Sequence, residues 1–202
     1  MTGLGASAAF ALAASAIFFP PKAVDAAKCP DLASLRSETA QKFNASLAAG
    51  FFYEMAYHDI AQVGASCPTL NFTQPAGDGS FSAAFRVKYI GKLPFTITEL
   101  YTKVGSDVGI YSKRAKMPGS KLLTLPTVVV DATVGADGRY DTLTLYSCLK
   151  ALGVAEVQEL NIMTRSETVS AADIDALVAK ALQLGVPVDD SDVTRDSHTG
   201  CD

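Results

Sequence analysis

Phe81-Ser-Ala-Ala-Phe-Arg-Val-Lys-Tyr89 decides the fold class. Phe81, Ala83, Phe85, Val87 and Tyr89 alternate with Ser82, Arg86 and Lys88. Successive side chains of an extended chain point to opposite faces, so this is a strand with one apolar and one mostly polar side. The same period recurs outward from it. Strands are expected near 50–58, 67–74, 80–90, 94–103, 107–114, 122–135, 140–148 and 156–165. Turn signals separate them: Pro75-Ala-Gly-Asp-Gly79, Gly91-Lys-Leu-Pro94, Pro118-Gly119 and Gly135-Ala-Asp-Gly138. Eight short strands in a row imply an all-β barrel or sandwich.

The flanks differ in character. Residues 28–49 are a polar lead-in with a short helical pattern around Leu32–Phe43. After the last strand, Ser170 is placed to cap a helix, with Asp173 three residues on. Ile174, Leu177, Val178, Ala181 and Leu182 form the apolar stripe that must pack on something, here the outside of the sheet. Gly185 and Pro187 end it. The tail from 189 on is acidic and irregular, and reaches Cys201.

The chain has 202 residues, 49% hydrophobic and 19% charged, with a net charge of −4. These values exclude a disordered chain. The acidic balance excludes nucleic acid as a partner, which needs a clustered positive field. It also disfavours an anionic bilayer as the main partner, so any membrane contact would be peripheral.

Residues 8–19, AAFALAASAIFF, are twelve mostly apolar residues followed by Pro20-Pro21-Lys22. A bilayer-spanning helix needs about 20 such residues, whereas this length suits the apolar part of an export signal. Val24-Asp25-Ala26 supplies small residues for a cut after Ala26. Residues 1–26 are therefore expected to be a targeting peptide and 27–202 one domain. The stretch before the apolar run lacks Lys and Arg, which leaves a longer presequence leading to a plastid lumen as the alternative to secretion.

Cys29, Cys67, Cys148 and Cys201 contain no close pair of the zinc-ligand kind. An even number in an exported chain implies two disulfides, with three possible connectivities. Asn44-Ala-Ser46 and Asn71-Phe-Thr73 are glycosylation sequons.

Several local motifs, in order, resemble the lipocalin family. Gly50-Phe-Phe52-Tyr53-Glu54 resembles its G-x-W-Y-E opening, and Ile162-Met-Thr-Arg165 the end of its last strand. Tyr146-Ser-Cys148, the late helix, Cys201, Lys28-Cys29-Pro30 and Cys67 with Asn71 fall where the apolipoprotein D-like subgroup has its counterparts. The resemblance covers about residues 28–202. It implies an eight-stranded antiparallel up-and-down barrel with one C-terminal helix packed outside. It also implies bridges Cys29–Cys148 and Cys67–Cys201, and a barrel base built on Gly50, Phe52 and Arg165. The chain departs from the family in having no Trp, so Phe52 replaces the base indole under Arg165. The family's middle motif has no clear counterpart in Asp131-Ala-Thr133.

An eight-stranded barrel has room for one small ligand. Burying roughly 300 Å² of apolar ligand would contribute up to ~7 kcal/mol before entropy costs, enough for micromolar binding. By alternation, Phe85, Val87, Tyr89, Phe95, Ile97, Asn161 and Met163 line such a cup, with Tyr89 and Asn161 supplying polar contacts. The expected function is transport or sequestration of a lipid, sterol, retinoid or carotenoid-like molecule. The catalytic inventory is thin. His58 and His198 have no ligand-like neighbours, and Ser197-His198 is sequence adjacency only. Neither enzyme activity, cofactor nor metal is expected. The alternative is a docking subunit of a larger, thylakoid-lumenal complex whose barrel is plugged by its own side chains. The openness of the barrel discriminates between the two.

Overall fold

Eight strands close on themselves in the computed structural model, which describes residues 29–201 apart from 90–92, 120–122 and 152–154. The expected targeting peptide lies outside the described residues. The strands are β1 (Gly50–Asp59), β2 (Ser66–Phe72), β3 (Phe81–Tyr89), β4 (Leu93–Lys103), β5 (Ile110–Ala115), β6 (Leu125–Val134), β7 (Tyr140–Ala151) and β8 (Ala155–Thr164). Each pairs antiparallel with its sequence neighbour, and β8 pairs with β1 to shut the ring. This is the up-and-down barrel expected from the sequence.

Two phases of side chains separate inside from outside. Phe52, Leu70, Phe72, Ala83, Tyr101, Tyr111, Leu143 and Met163 form a core within the ring. The opposite phase, including Val128, Val130, Tyr146, Cys148, Leu160 and Ile162, forms a second core beneath a helix. That helix, α2, runs Ala171–Gln183. An earlier single turn, α1, spans Ala45–Ala48. The Ser170 side chain accepts a hydrogen bond from Asp173 N at 3.1 Å, which satisfies one of the open N–H groups of α2's first turn. Ile174, Val178 and Ala181 are buried against the barrel, and Lys180 pairs with Asp131 at 2.6 Å.

Register shifts in β1 between Glu54 and Ala56, and in β6 between Val129 and Asp131, place two successive residues on one face. They turn Met55 and Ala56, and Val130 and Asp131, outward toward the tail and α2. The β1 shift leaves both Glu54 and Tyr57 facing inward.

Some segments differ from expectation. The Leu32–Phe43 pattern is not one helix but two short 3-10 turns, Leu32–Leu35 and Ala40–Lys42. Gly109 has φ +75, and a Cβ there would lie 3.3 Å from the Ala40 carbonyl, so the lead-in packs close and β5 starts at Ile110 rather than 107. The tail also gains structure. Thr194–Arg195 (β9) pairs with Tyr57 and Ala56 of β1, where β2 has diverged. Cys67 is bonded to Cys201 and Cys29 to Cys148. These bridges close segments of 134 and 119 residues, tying tail and lead-in to the barrel wall.

Candidate functional site

The lower end of the barrel is sealed. Arg165 Cζ lies 4.2 Å over the Phe52 ring. Its guanidinium donates to the carbonyls of Tyr140 (2.7 Å), Leu47 (3.1 Å), Ala49 (3.1 Å) and Phe51 (3.2 Å). Burial and the neighbouring Arg139 lower its pKa. Gly50, with φ +102, makes room: a Cβ would lie 2.9 Å from Arg139 and 3.3 Å from Arg165. Above this base, Phe52, Phe72, Phe81, Tyr101 and Tyr111 pack ring against ring at 4.8–6.3 Å. Phe43 plugs the end from outside, stacked 5.3 Å from Tyr140.

The middle of the barrel is ionisable. Glu54 of β1, Glu99 of β4, Lys113 of β5 and Asn161 and Glu159 of β8 are in phase with the inward core. Lys113 Nζ pairs with Glu159 and lies 3.6 Å from Glu99. Burial alone would lower the Lys113 pKa, but these carboxylates outweigh it and hold the ammonium charged. Tyr101 donates to Glu99 at 2.6 Å, and burial, then the Glu99 charge, raises its phenol well above the usual range. Thr127 and Ser147 share a hydrogen bond at 2.8 Å.

Glu54 is the most perturbed carboxyl. It is fully buried and accepts from Asn161 Nδ2 at 2.6 Å, while its Oε2 has no partner. Burial pushes its pKa from 4.5 to about 8, so it is mainly protonated at neutral pH. Gln62, in the loop after β1, lies against this carboxyl, and its Oε1 is likewise without a partner. Gln62 Nε2 donates to Asp59, whose own pKa is raised by burial and by Glu159.

The upper barrel is partly filled: inward-facing Val87, nearer the mouth than Phe85, is buried. Phe85 and Ile97 face each other's strands in the inward phase, yet both are only half-buried. Glu99 and Glu159 below them retain 17% and 13% side-chain exposure. Side chains at the level of the carboxylates thus keep some solvent contact. Around the mouth, Ile60, Val63, Leu93, Phe95, Met117 and Leu123 are exposed.

Each expected lining residue has a definite place. Phe85, Val87 and Ile97 lie in the upper barrel. Met163 belongs to the sealed lower core. Phe95 is 46% exposed at the rim. The two expected polar contacts are already engaged: Asn161 donates to Glu54, and Tyr89 donates to the Ala61 carbonyl at 2.6 Å. The expectation missed Glu54, Gln62, Glu99, Lys113 and Glu159. For Glu99 and Lys113 a signal was present, since each falls in the apolar phase of its own strand.

Outside the ring, a recess of about 440 Å³ lies where the tail crosses β2–β4, lined in part by Phe51, Tyr53, Thr69, Arg86 and His198. His198 is buried, with Nε2 3.1 Å from the Glu54 carbonyl oxygen and Nδ1 without a partner. Asp196, His198 and Cys201 converge there, but the Cys201 sulfur is bonded to Cys67 and offers no thiolate. Ser197 donates to Thr199, not to His198. The acidic turn at Asp190 is paired with Arg195 at 2.7 Å.

The comparisons with known proteins bear on the fold. No family model matches the chain, and no curated protein matches it. Solved structures do. Apocrustacyanin C1 is 14% identical, with a TM-score of 0.59 over 76% of this chain and 78% of that one. Lobster apocrustacyanin A1 is 16% identical, with 0.56 over 77% and 80%. H1 crustacyanin from the lobster Homarus americanus is 16% identical, with 0.58 over 84% and 92%. The fold is a lipocalin barrel. At these identities the likeness carries the architecture, and the chemistry must come from the barrel's own residues. In this lipocalin barrel they form an aromatic plug, a charged layer above it and an apolar opening.

Proposed function

We propose that this lipocalin barrel binds a small hydrophobic molecule in its upper half and carries or sequesters it without catalysis. The observation that carries the reading is the solvent access of inward-facing Phe85 and Ile97 above a sealed base. A barrel plugged to the rim, as the docking-subunit alternative requires, would bury both. Phe85 and Ile97 supply the apolar wall beside the buried Val87, and each fully covered apolar Å² of ligand contributes about 25 cal/mol.

The apolipoprotein D-like subgroup is the finer assignment. It draws on the Cys29–Cys148 and Cys67–Cys201 pairing and on an exposed sequon at Asn71. Export follows from the same chemistry, because disulfides persist in oxidising compartments. Asn44 and Asn71 are both exposed and available for glycosylation. The apolar rim gives the mouth a peripheral contact with lipid while the ligand enters or leaves.

The test is mass spectrometry of an organic extract of the oxidised protein from its natural source. A stoichiometric apolar compound is expected. An empty barrel that takes up neither retinoid, fatty acid nor carotenoid in titration would overturn the reading.

A further inference from the structure

The lower limit of the open barrel is set by charge rather than by apolar packing. Four carboxyl groups face this layer: Glu54 and Asp59 from β1, Glu99 from β4 and Glu159 from β8. Among the described residues that face it, Lys113 of β5 is the cation, and it is already shared between Glu99 and Glu159. The neutral groups present are Tyr57, Gln62, Tyr101 and Asn161. Two of the oxygens, Glu54 Oε2 and Gln62 Oε1, are buried with no donor. Buried polar atoms are normally satisfied, and each orphan needs an explanation. The one donor within this pair of groups is the proton that Glu54 carries when neutral, with Gln62 against the carboxyl, in a layer with an excess of carboxyls.

We propose that the polar end of the ligand is a protonated amine, held at this layer by Glu54, Asp59, Glu99 and Glu159 with its hydrocarbon among Phe85, Val87 and Ile97. The inference rests on the reading of the barrel as a ligand cup and names the class of molecule it takes. An ammonium brings three donors and no acceptor, and so replaces the donor these carboxyl and amide oxygens lose when Glu54 ionises. A carboxylate head meets like charges, with Lys113 already paired. A hydroxyl head brings one donor and no charge. From Glu99 to Phe95 the strand rises about 3.3 Å per residue, roughly 13 Å in all, so a medium-length alkyl chain reaches the rim.

Binding would exchange a proton for the ammonium. In the empty barrel Glu54 stays mainly protonated at neutral pH, as its pKa of about 8 requires. A cation beside it favours the ionised form, so the carboxyl proton leaves to solvent as the amine docks. No bond other than that O–H is broken.

The test uses the whole oxidised chain and the displacement of N-phenyl-1-naphthylamine by decylamine, decanol and decanoate below their micelle concentrations. Decylamine is expected to compete at least ~10-fold better than decanol, a difference of about 1.4 kcal/mol, with decanoate weakest. Calorimetry at pH 7 in buffers of different ionisation heat should show proton release approaching ~one per decylamine and none for decanol. Glu54→Gln should lose most of that release and most of the amine preference while keeping its affinity for decanol. Equal competition by all three, or amine binding without proton release from the unmodified chain, would overturn the inference and leave the ligand cup standing. Failure of all three to displace the dye would overturn both.

Discussion

The lower and upper halves of the barrel are built from the same strands with opposite chemistry. Below, β1, β2, β3, β4 and β5 turn Phe52, Phe72, Phe81, Tyr101 and Tyr111 into one stack of rings. One or two inward positions higher, the same or adjoining strands present Glu54, Glu99 and Lys113. Alternation decides only that a side chain points inward. Its identity decides whether the space is closed or left as a polar floor with room above. The lower half is held by packing and so should respond to volume. The layer above is held by one buried cation, Lys113, shared between carboxylates, and so should respond to pH and to loss of a partner.

Lys113→Met should give the largest effect. It leaves Glu99 and Glu159 in a mostly buried layer without their cation, and breaking such a pair typically costs about 3–5 kcal/mol. Urea unfolding at pH 7 measures it, and part of the loss should return at acid pH as the carboxylates protonate. Phe52→Ala should cost slightly less, about 3 kcal/mol, through the cavity it opens beneath Arg165. Its cost should not vary between pH 5 and pH 8. If the two losses showed the same pH dependence, the contrast between the halves would fail.

Glu54→Gln sharpens the contrast. The Glu54 pKa is raised on folding from 4.5 to about 8, so the folded chain holds a proton that the unfolded chain releases. Its contribution is fully present below pH 4.5 and is lost as pH rises toward about 8. The variant removes this slope. Relative to the unmodified chain it should gain stability from pH 5 to pH 8, roughly 3 kcal/mol. Thermal melts across that range read the difference, and parallel curves would show that Glu54 does not carry the proton. Asp59, also raised, keeps a smaller slope of the same sign in both. Arg195→Ala should matter least. Its pairs with Asp175 and Asp190 are exposed, and such pairs contribute about 0–1 kcal/mol.

Most of the architecture was legible because it depends on patterns local to the chain. Phe81–Tyr89 announces its strand, and Ser170 with Asp173 announces the start of α2. The disulfide pairing was not legible from spacing, because partners 119 and 134 residues apart leave no local trace. It came from the family resemblance. The lead-in was misread since its apolar residues serve separate contacts, Leu35 under α2 and Phe43 at the barrel base. The candidate site was half legible. Phe85, Val87 and Ile97 follow from alternation. Glu54, Glu99 and Lys113 obey the same alternation, but a charged residue at an inward position reads as a break in the pattern until its partners are seen across the barrel. Gln62 carried no sequence signal, because it reaches the layer from a loop.

The most direct test of the ligand's place uses the absence of tryptophan from the chain. Phe85→Trp and Arg86→Trp put one indole on the inner and outer face of neighbouring positions in β3. Titration with 10-bromodecanol, whose bromine quenches an indole only at close range, should quench the Phe85→Trp emission saturably and leave Arg86→Trp unchanged. Saturable quenching of Arg86→Trp with Phe85→Trp unaffected would place binding on the outer wall and contradict the account.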